Sequence, residues 1–268
     1  MQAVTKPRLS DKKIRVALVG HFQFGKSSLV NCLLGRKDLA PEGNGIKSKT
    51  GESRPYSFSD DVEIVDTPGF NDCDKRDEAA LEAIRSSHCV MIVSRNGKLL
   101  SGLYDEWVTR AKAEGKPCVF IVNCFEEKDI DGEWLPRWNP RSDLNAEFCD
   151  NDVVRGFLGK NGHGNCLSID GKLAFPINAR WAQYGCGMAV NDEKEIAEMV
   201  QFLTSKDGVA MTEAECRRAA FELSNLSALR NFLLNIRLEL LSFSLRNKEL
   251  IFGELVNRFN EEFTKHMK

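Results

Sequence analysis

The sequence predicts an α/β fold: three layers, α/β/α, around a mostly parallel sheet, with a helical extension at the C-terminal end. Three observations carry that reading. Short apolar runs alternate with helix-periodic segments between residues 14 and 177, and such alternation builds a parallel sheet with helices on both faces. A glycine-rich turn joins the first apolar run to the first helical segment. Beyond residue 192 the pattern is helical.

The elements follow in order. Residues 14–19, Ile-Arg-Val-Ala-Leu-Val, read as a buried strand, and residues 28–34 as a helix with one apolar face. Residues 35–54 hold Pro41, Gly43, Asn44, Gly45 and Gly51, so a mobile loop is expected. A short strand fits 56–58, and a second fits 62–65, where Val62, Ile64 and Val65 are apolar. A helix fits 75–86, with Ala79, Leu81, Ala83 and Ile84 as its apolar positions. Strands at 90–93 and 119–122 flank a helix at 103–113 that Gly115 ends. Residues 126–173 break the rhythm with Trp134, Pro136, Trp138, Pro140 and Gly159, a long insertion of limited structure. Residues 174–177 restore the sheet. Helices are then expected at 193–203, 212–223 and 227–241. Thr212 stands three residues before Glu215, the spacing of a capping box. Beyond them Leu241, Leu245, Phe252, Val256, Phe259, Phe263 and Met267 lie on one helical stripe.

Composition narrows the class. A net charge of −2 over 268 residues gives no reason to expect DNA as a partner. The nine cysteines are odd in number and contain no C-x-x-C pair, so buried reduced thiols are expected rather than a zinc site or a disulfide framework. The polar start of the chain lacks an apolar signal core, and no apolar run is long enough to span a bilayer, so an intracellular, cytoplasmic protein is expected.

The chemistry is concentrated at residues 20–27, Gly-His-Phe-Gln-Phe-Gly-Lys-Ser. These meet the phosphate-loop pattern G-x-x-x-x-G-K-[ST] in its required context of strand, loop and helix. The glycines let successive N–H groups point at one anion, and the start of the helix adds its dipole. Lys26 brings charge to the outer phosphates, and the Ser27 hydroxyl can ligate magnesium. Asp66, at the end of the strand over 62–65, is placed to hold the same ion through water. Pro68 and Gly69 then form a turn whose N–H groups can approach the outermost phosphate.

Asp66-Thr67-Pro68-Gly69 following a Gly25-Lys26-Ser27 loop resembles the translation-factor-related P-loop GTPases. The run from Gly20 to Asn31 is similar to the Era-like and bacterial dynamin-like members. The resemblance covers roughly residues 14–240. It implies a GTPase domain over residues 12–240 with an insertion at 127–173, followed by a C-terminal helix at 241–268. It implies a conformational switch that hydrolyses GTP to GDP with magnesium. Lys26, Thr50, Gly69 and Gln23 would serve catalysis, and Ser27, Thr50 and Asp66 the metal. Gly20, His21, Phe22, Gln23, Phe24, Gly25, Lys26, Ser27, Ser28, Asp66, Gly69, Asn123, Glu126, Asn178, Ala179 and Arg180 would contact the nucleotide. Ser48 and Ser53 are lesser candidates for the role of Thr50.

The family pattern is not met everywhere. Its base-reading N-K-x-D becomes Asn123-Cys124-Phe125-Glu126 here. Glutamate is one methylene longer than aspartate. A displacement of about 1 Å costs about a hundredfold where geometry is strict, so a weakened guanine preference is expected, with Asp129 in reserve. The family's S-A-K/R loop becomes Asn178-Ala179-Arg180. Phe70 stands where Ras-like members carry a water-orienting glutamine. Era-like and dynamin-like members with a hydrophobic residue there use potassium or a partner subunit instead, which implies activation by K+ or by a homodimer across the nucleotide face. Gln23 stands at the loop position that some potassium-using members fill with asparagine. The C-terminal helices would relay the change to a protein partner or to a membrane surface, as a peripheral contact. Two other readings stay open: a nucleotide-binding regulatory or scaffold module with negligible hydrolysis, and an ATPase.

Overall fold

The computed structural model describes residues 7–21, 24–37, 39–40, 52–69, 74–95, 105–124, 127–128, 134–135, 166–188, 193–205, 211–248 and 256. Its strands are β1 (Ile14–Val19), β2 (Arg54–Ser57), β3 (Val62–Asp66), β4 (Cys89–Arg95), β5 (Cys118–Asn123), β6 (Glu127–Lys128), β7 (Trp134–Leu135) and β8 (Ala174–Ile177). The helices are α1 (Lys26–Leu34), α2 (Asp74–Ser86), α3 (Asp105–Ala113), α4 (Ala179–Gly185), α5 (Glu193–Ser205), α6 (Glu213–Leu223), α7 (Leu226–Leu234) and α8 (236–248).

Six strands form one sheet in the order β2-β3-β1-β4-β5-β8. All neighbours are parallel except β2, which runs antiparallel to β3 at the edge. β1 leads to β3 on one side and β4 on the other. The crevice at the carboxyl end of β1 is therefore the switch point of the sheet, where open α/β sheets bind ligands. Within the insertion at 127–173, β6 and β7 pair as a small antiparallel ladder. Most of that segment lies outside the described residues.

The period-two alternation of the strands divides the core. Val16, Leu18, Met91, Val93, Ile121 and Ile177 face one side with Leu29 and Leu33 of α1 and Leu229 and Leu233 of α7. Ala17, Val19, Ile92, Phe120 and Val122 face the other with Ala83 and Ile84 of α2 and Trp107 and Val108 of α3. Both layers are dry, and each fully buried side chain of this size contributes about 1.5–3 kcal/mol. All seven cysteines among the described residues are free thiols, as expected of packing residues; Cys73 and Cys149 lie outside them. No helix among the described residues is long and apolar enough to cross a membrane.

Two predicted boundaries move. α1 begins at Lys26 rather than residue 28, because Gly25 takes a left-handed conformation (φ 79°) and turns the loop directly into the helix. The helix expected at 227–241 is two helices. Asn235 ends α7, and its side chain bonds the Asn231 carbonyl at 2.9 Å, competing with the backbone ladder. α8 then runs to residue 248, so the boundary placed at 240 falls inside a helix. Of the expected stripe, Leu241, Leu245 and Val256 are exposed; Phe252, Phe259, Phe263 and Met267 lie outside the described residues.

The expected capping box is present: Glu215 N–H donates to Thr212 Oγ1 at 3.4 Å, and Thr212 N–H donates to Glu215 Oε2 at 2.8 Å. α6 packs against α4 at a point where a Cβ on Gly185 would lie 2.6 Å from the backbone nitrogen of Phe221. Gly185→Ala is expected to lower stability by about 1–3 kcal/mol through this overpacking, and Thr212→Ala by about 1 kcal/mol through the lost cap. Urea denaturation of the two variants checks both values.

Candidate nucleotide site at the switch point

The loop after β1 is built by two backbone demands. Gly20 sits at φ 152°, and a Cβ there would fall 2.4 Å from the Val93 carbonyl oxygen of β4. The close approach of β4 therefore requires glycine. Gly25 then supplies the left-handed turn before α1. Between them the Lys26 ammonium folds back and donates to the carbonyls of Gly20 and His21, each at 2.9 Å. Lys26 is buried. Its nine-residue helix points its free N–H groups into the same crevice, so lysine and helix dipole aim positive potential at one spot.

The opposite charge is Asp66, wholly buried at the end of β3. The Ser27 hydroxyl donates to Asp66 Oδ2 at 2.9 Å. Asp66 Oδ1 is buried and without a hydrogen bond partner among the described residues. A hydroxyl oxygen, a carboxylate and an orphaned carboxylate oxygen form a hard oxygen donor set, which fits magnesium. Burial raises the carboxyl of Asp66 above its ordinary value, against the pull of Lys26, Ser27 and Arg54. Burial likewise lowers the Lys26 ammonium to about 8, against the attraction of Asp66. Next to Asp66, the Thr67 hydroxyl donates to the Leu18 carbonyl at 2.7 Å and locks the end of β3 to β1.

Asn123, at the end of β5, does something that sequence patterning did not assign to it. Its Nδ2 donates to the Phe24 carbonyl at 3.1 Å, and its Oδ1 accepts from Ala179 N–H at 3.2 Å. One buried amide thus ties the phosphate loop to the loop between β8 and α4. Asn178 is committed differently from the expected base contact: its Oδ1 caps α4, accepting from Arg180 N–H at 3.0 Å and Trp181 N–H at 3.1 Å. The Cys32 thiol adds a contact to the Ala179 carbonyl at 3.3 Å. Asn31 anchors the chain after α1 through paired bonds with Ala40 at 2.7 and 3.0 Å.

The structure brings together Gly20, His21, Phe24, Gly25, Lys26, Ser27, Ser28 and Asp66, with Gly69 buried just beyond β3. Asn123, Asn178, Ala179 and Arg180 close the far side. Phe22, Gln23, Thr50, Phe70, Glu126 and Asp129 lie outside the described residues.

With this geometry in place, comparison with known proteins decides the class. Residues 15–124 match the family model of 50S ribosome-binding GTPases. The chain carries a P-loop GTPase domain of the translation-factor-related class. GTPase Der from Bacillus mycoides is 36% identical over 149 residues, 52% of this chain and 34% of that protein. GTPase Der from Staphylococcus carnosus is 27% identical over 146 residues, 51% of this chain and 34% of that relative. An Era variant from Aquifex aeolicus, solved bound to GDP and AlF4−, aligns with a TM-score of 0.41 at 18% identity, over 73% of this chain and 57% of that one. The chain spans about a third of the length of the curated relatives it matches.

Two outcomes follow for the GTPase domain. Below pH 8 the Lys26 ammonium is charged in both the folded and unfolded chains, so its burial penalty is fully present. Between about 8 and the ordinary lysine value only the unfolded chain stays protonated, so stability rises with pH. Lys26→Met is expected to abolish that rise, worth about 3 kcal/mol, and to leave the ligand-free protein at least as stable at pH 7; urea midpoints across pH 7 to 10.5 test it. Asn123→Ala leaves a buried N–H and a carbonyl unpaired and is expected to cost about 2–3 kcal/mol, read as a lower unfolding temperature together with weaker nucleotide binding.

Proposed function

We propose that this chain is a magnesium-dependent GTPase that acts as a conformational switch. The observation that carries the reading is the buried pair at the switch point: Ser27 Oγ at 2.9 Å from Asp66 Oδ2, with Oδ1 orphaned and the Lys26 ammonium in the same glycine cradle. The family match over residues 15–124 and the Der relatives support guanine nucleotides and hydrolysis as the chemistry.

In this reading the loop N–H groups and Lys26 bind the outer phosphates and stabilise the charge that develops there. Lys26 leaves the carbonyls of Gly20 and His21 to do so. Ser27 and Asp66 hold the metal, joined by Thr50. The magnesium ion neutralises charge on the outer phosphates. The backbone at Gly69 meets the terminal phosphate, so the segments on either side of it order with the triphosphate and relax with the diphosphate. Asn123 and Ala179 set the height of the base pocket, and Glu126 reads the guanine edge. Gln23 coordinates a potassium ion, or a second copy docks across the nucleotide face, to raise a slow intrinsic rate. The C-terminal helices pass the change to a protein partner or a membrane surface, as in dynamin-like proteins.

A second reading has its own observation. Phe70 offers no hydrogen bond where Ras-like members orient water, which favours a regulatory module that holds nucleotide without turnover.

Phosphate release separates the two. GTP turnover with magnesium is expected to exceed ATP turnover and to rise with protein concentration or with potassium over sodium. Lys26→Ala is expected to abolish it. Tight binding without release would favour the regulatory module, and faster ATP turnover would remove guanine from the assignment.

A further inference from the structure

Asp66 has a second basic neighbour. β2 runs antiparallel to β3, and Arg54 is the residue directly opposite Asp66 in their register. Residues directly opposite in such a ladder project from the same face with their Cβ atoms close. The guanidinium of Arg54 therefore rises on the same side of the sheet as the metal-site carboxylate. Tyr56, two residues along and on that same face, hydrogen-bonds the Arg54 side chain. Arg54 is exposed at the edge of the sheet, and its charge acts on the Asp66 carboxylate. An exposed arginine steadied by a tyrosine and aimed past a buried carboxylate has no apolar surface to cover and no structural carboxylate to clamp.

We propose that Arg54 grips the terminal phosphate of a bound nucleoside triphosphate, as an arginine supplied in cis by the edge strand. This rests on the nucleotide reading of the site. An outer phosphate carries more negative charge than Lys26 alone balances. A planar guanidinium makes paired charge-assisted bonds to phosphate oxygens that a single ammonium does not. Arginines delivered to the transferring phosphate in this way stabilise its charge. Because Arg54 lies on a strand rather than on the phosphate loop, it engages only the terminal phosphate. Its contribution therefore distinguishes triphosphate from diphosphate.

The test measures the full chain, Arg54→Gln and Arg54→Lys in magnesium. Calorimetry gives affinities for GDP and for a non-hydrolysable GTP analogue, and single-turnover phosphate release is followed with GTP. Arg54→Gln is expected to weaken analogue binding about tenfold to a hundredfold while GDP affinity stays within about twofold. Arg54→Lys, which keeps the charge but not the fork, is expected to recover part of the loss. An unchanged ratio of analogue to GDP affinity overturns the proposal, and so does an equal loss for both nucleotides, which would mark Arg54 as a structural support of Asp66. If the unmodified chain binds both nucleotides but releases no phosphate, hydrolysis alone falls and the affinity ratio still decides Arg54. If the unmodified chain binds neither, the nucleotide reading falls and the proposal with it.

Discussion

Everything in this fold answers to a buried lysine and a buried aspartate at the end of the first strand. Neither charge is stable in a dry interior without partners. Lys26 meets that demand with two carbonyls of its own loop, and Asp66 with one hydroxyl from the next residue along α1. Those partners exist only if β1 lies between β3 and β4, if Gly20 lets β4 approach, and if α1 starts at Lys26. The arrangement leaves one carboxylate oxygen unpaired. That residual cost is a property of a protein built to receive a ligand rather than to be most stable without one.

Much of this was legible in the sequence because it depends on local, strongly patterned signals. The apolar runs that become β1, β4, β5 and β8 have no polar alternation, as strands buried on both faces require. The phosphate loop is a backbone motif, so its glycines and lysine are fixed in spacing. The capping box at Thr212 and Glu215 is likewise local. Boundaries moved where side-chain chemistry competed with periodicity, as at Asn235, whose amide bonds the helix backbone and splits an apparently continuous stripe.

The less legible part is long-range. Asn123 stands 99 residues from Phe24 and 56 from Ala179 along the chain, so no spacing rule links them. A motif marks it as a base-reading residue, yet its amide is a brace between two loops. Thr67 and Arg54 were passed over for the same reason. The hydroxyl of Thr67 matters because β1 lies beside β3, and Arg54 gains its place only from the antiparallel register of β2. Asn178 shows the converse: its sequence position suggested the base, while its oxygen is already spent capping α4.

At the opposite edge of the sheet, the Arg237 guanidinium of α8 donates to the carbonyl of Leu9, and to those of Asp11 and Lys12 at 3.0 and 3.1 Å. His88 takes part from below, its Nδ1 accepting from Arg15 N–H and its Nε2 donating to the Arg8 carbonyl, both at 2.9 Å. The segment that enters the fold and the helix that closes it are thus stapled to each other. They meet at the amino ends of the strands, a full strand length from the phosphate loop. Topologically the GTPase domain is a closed ring with its seam on the side away from the nucleotide. A ring of that kind can be threaded into a longer polypeptide as a single bead, since neighbouring modules on either flank would emerge side by side and leave the mouth of the crevice clear.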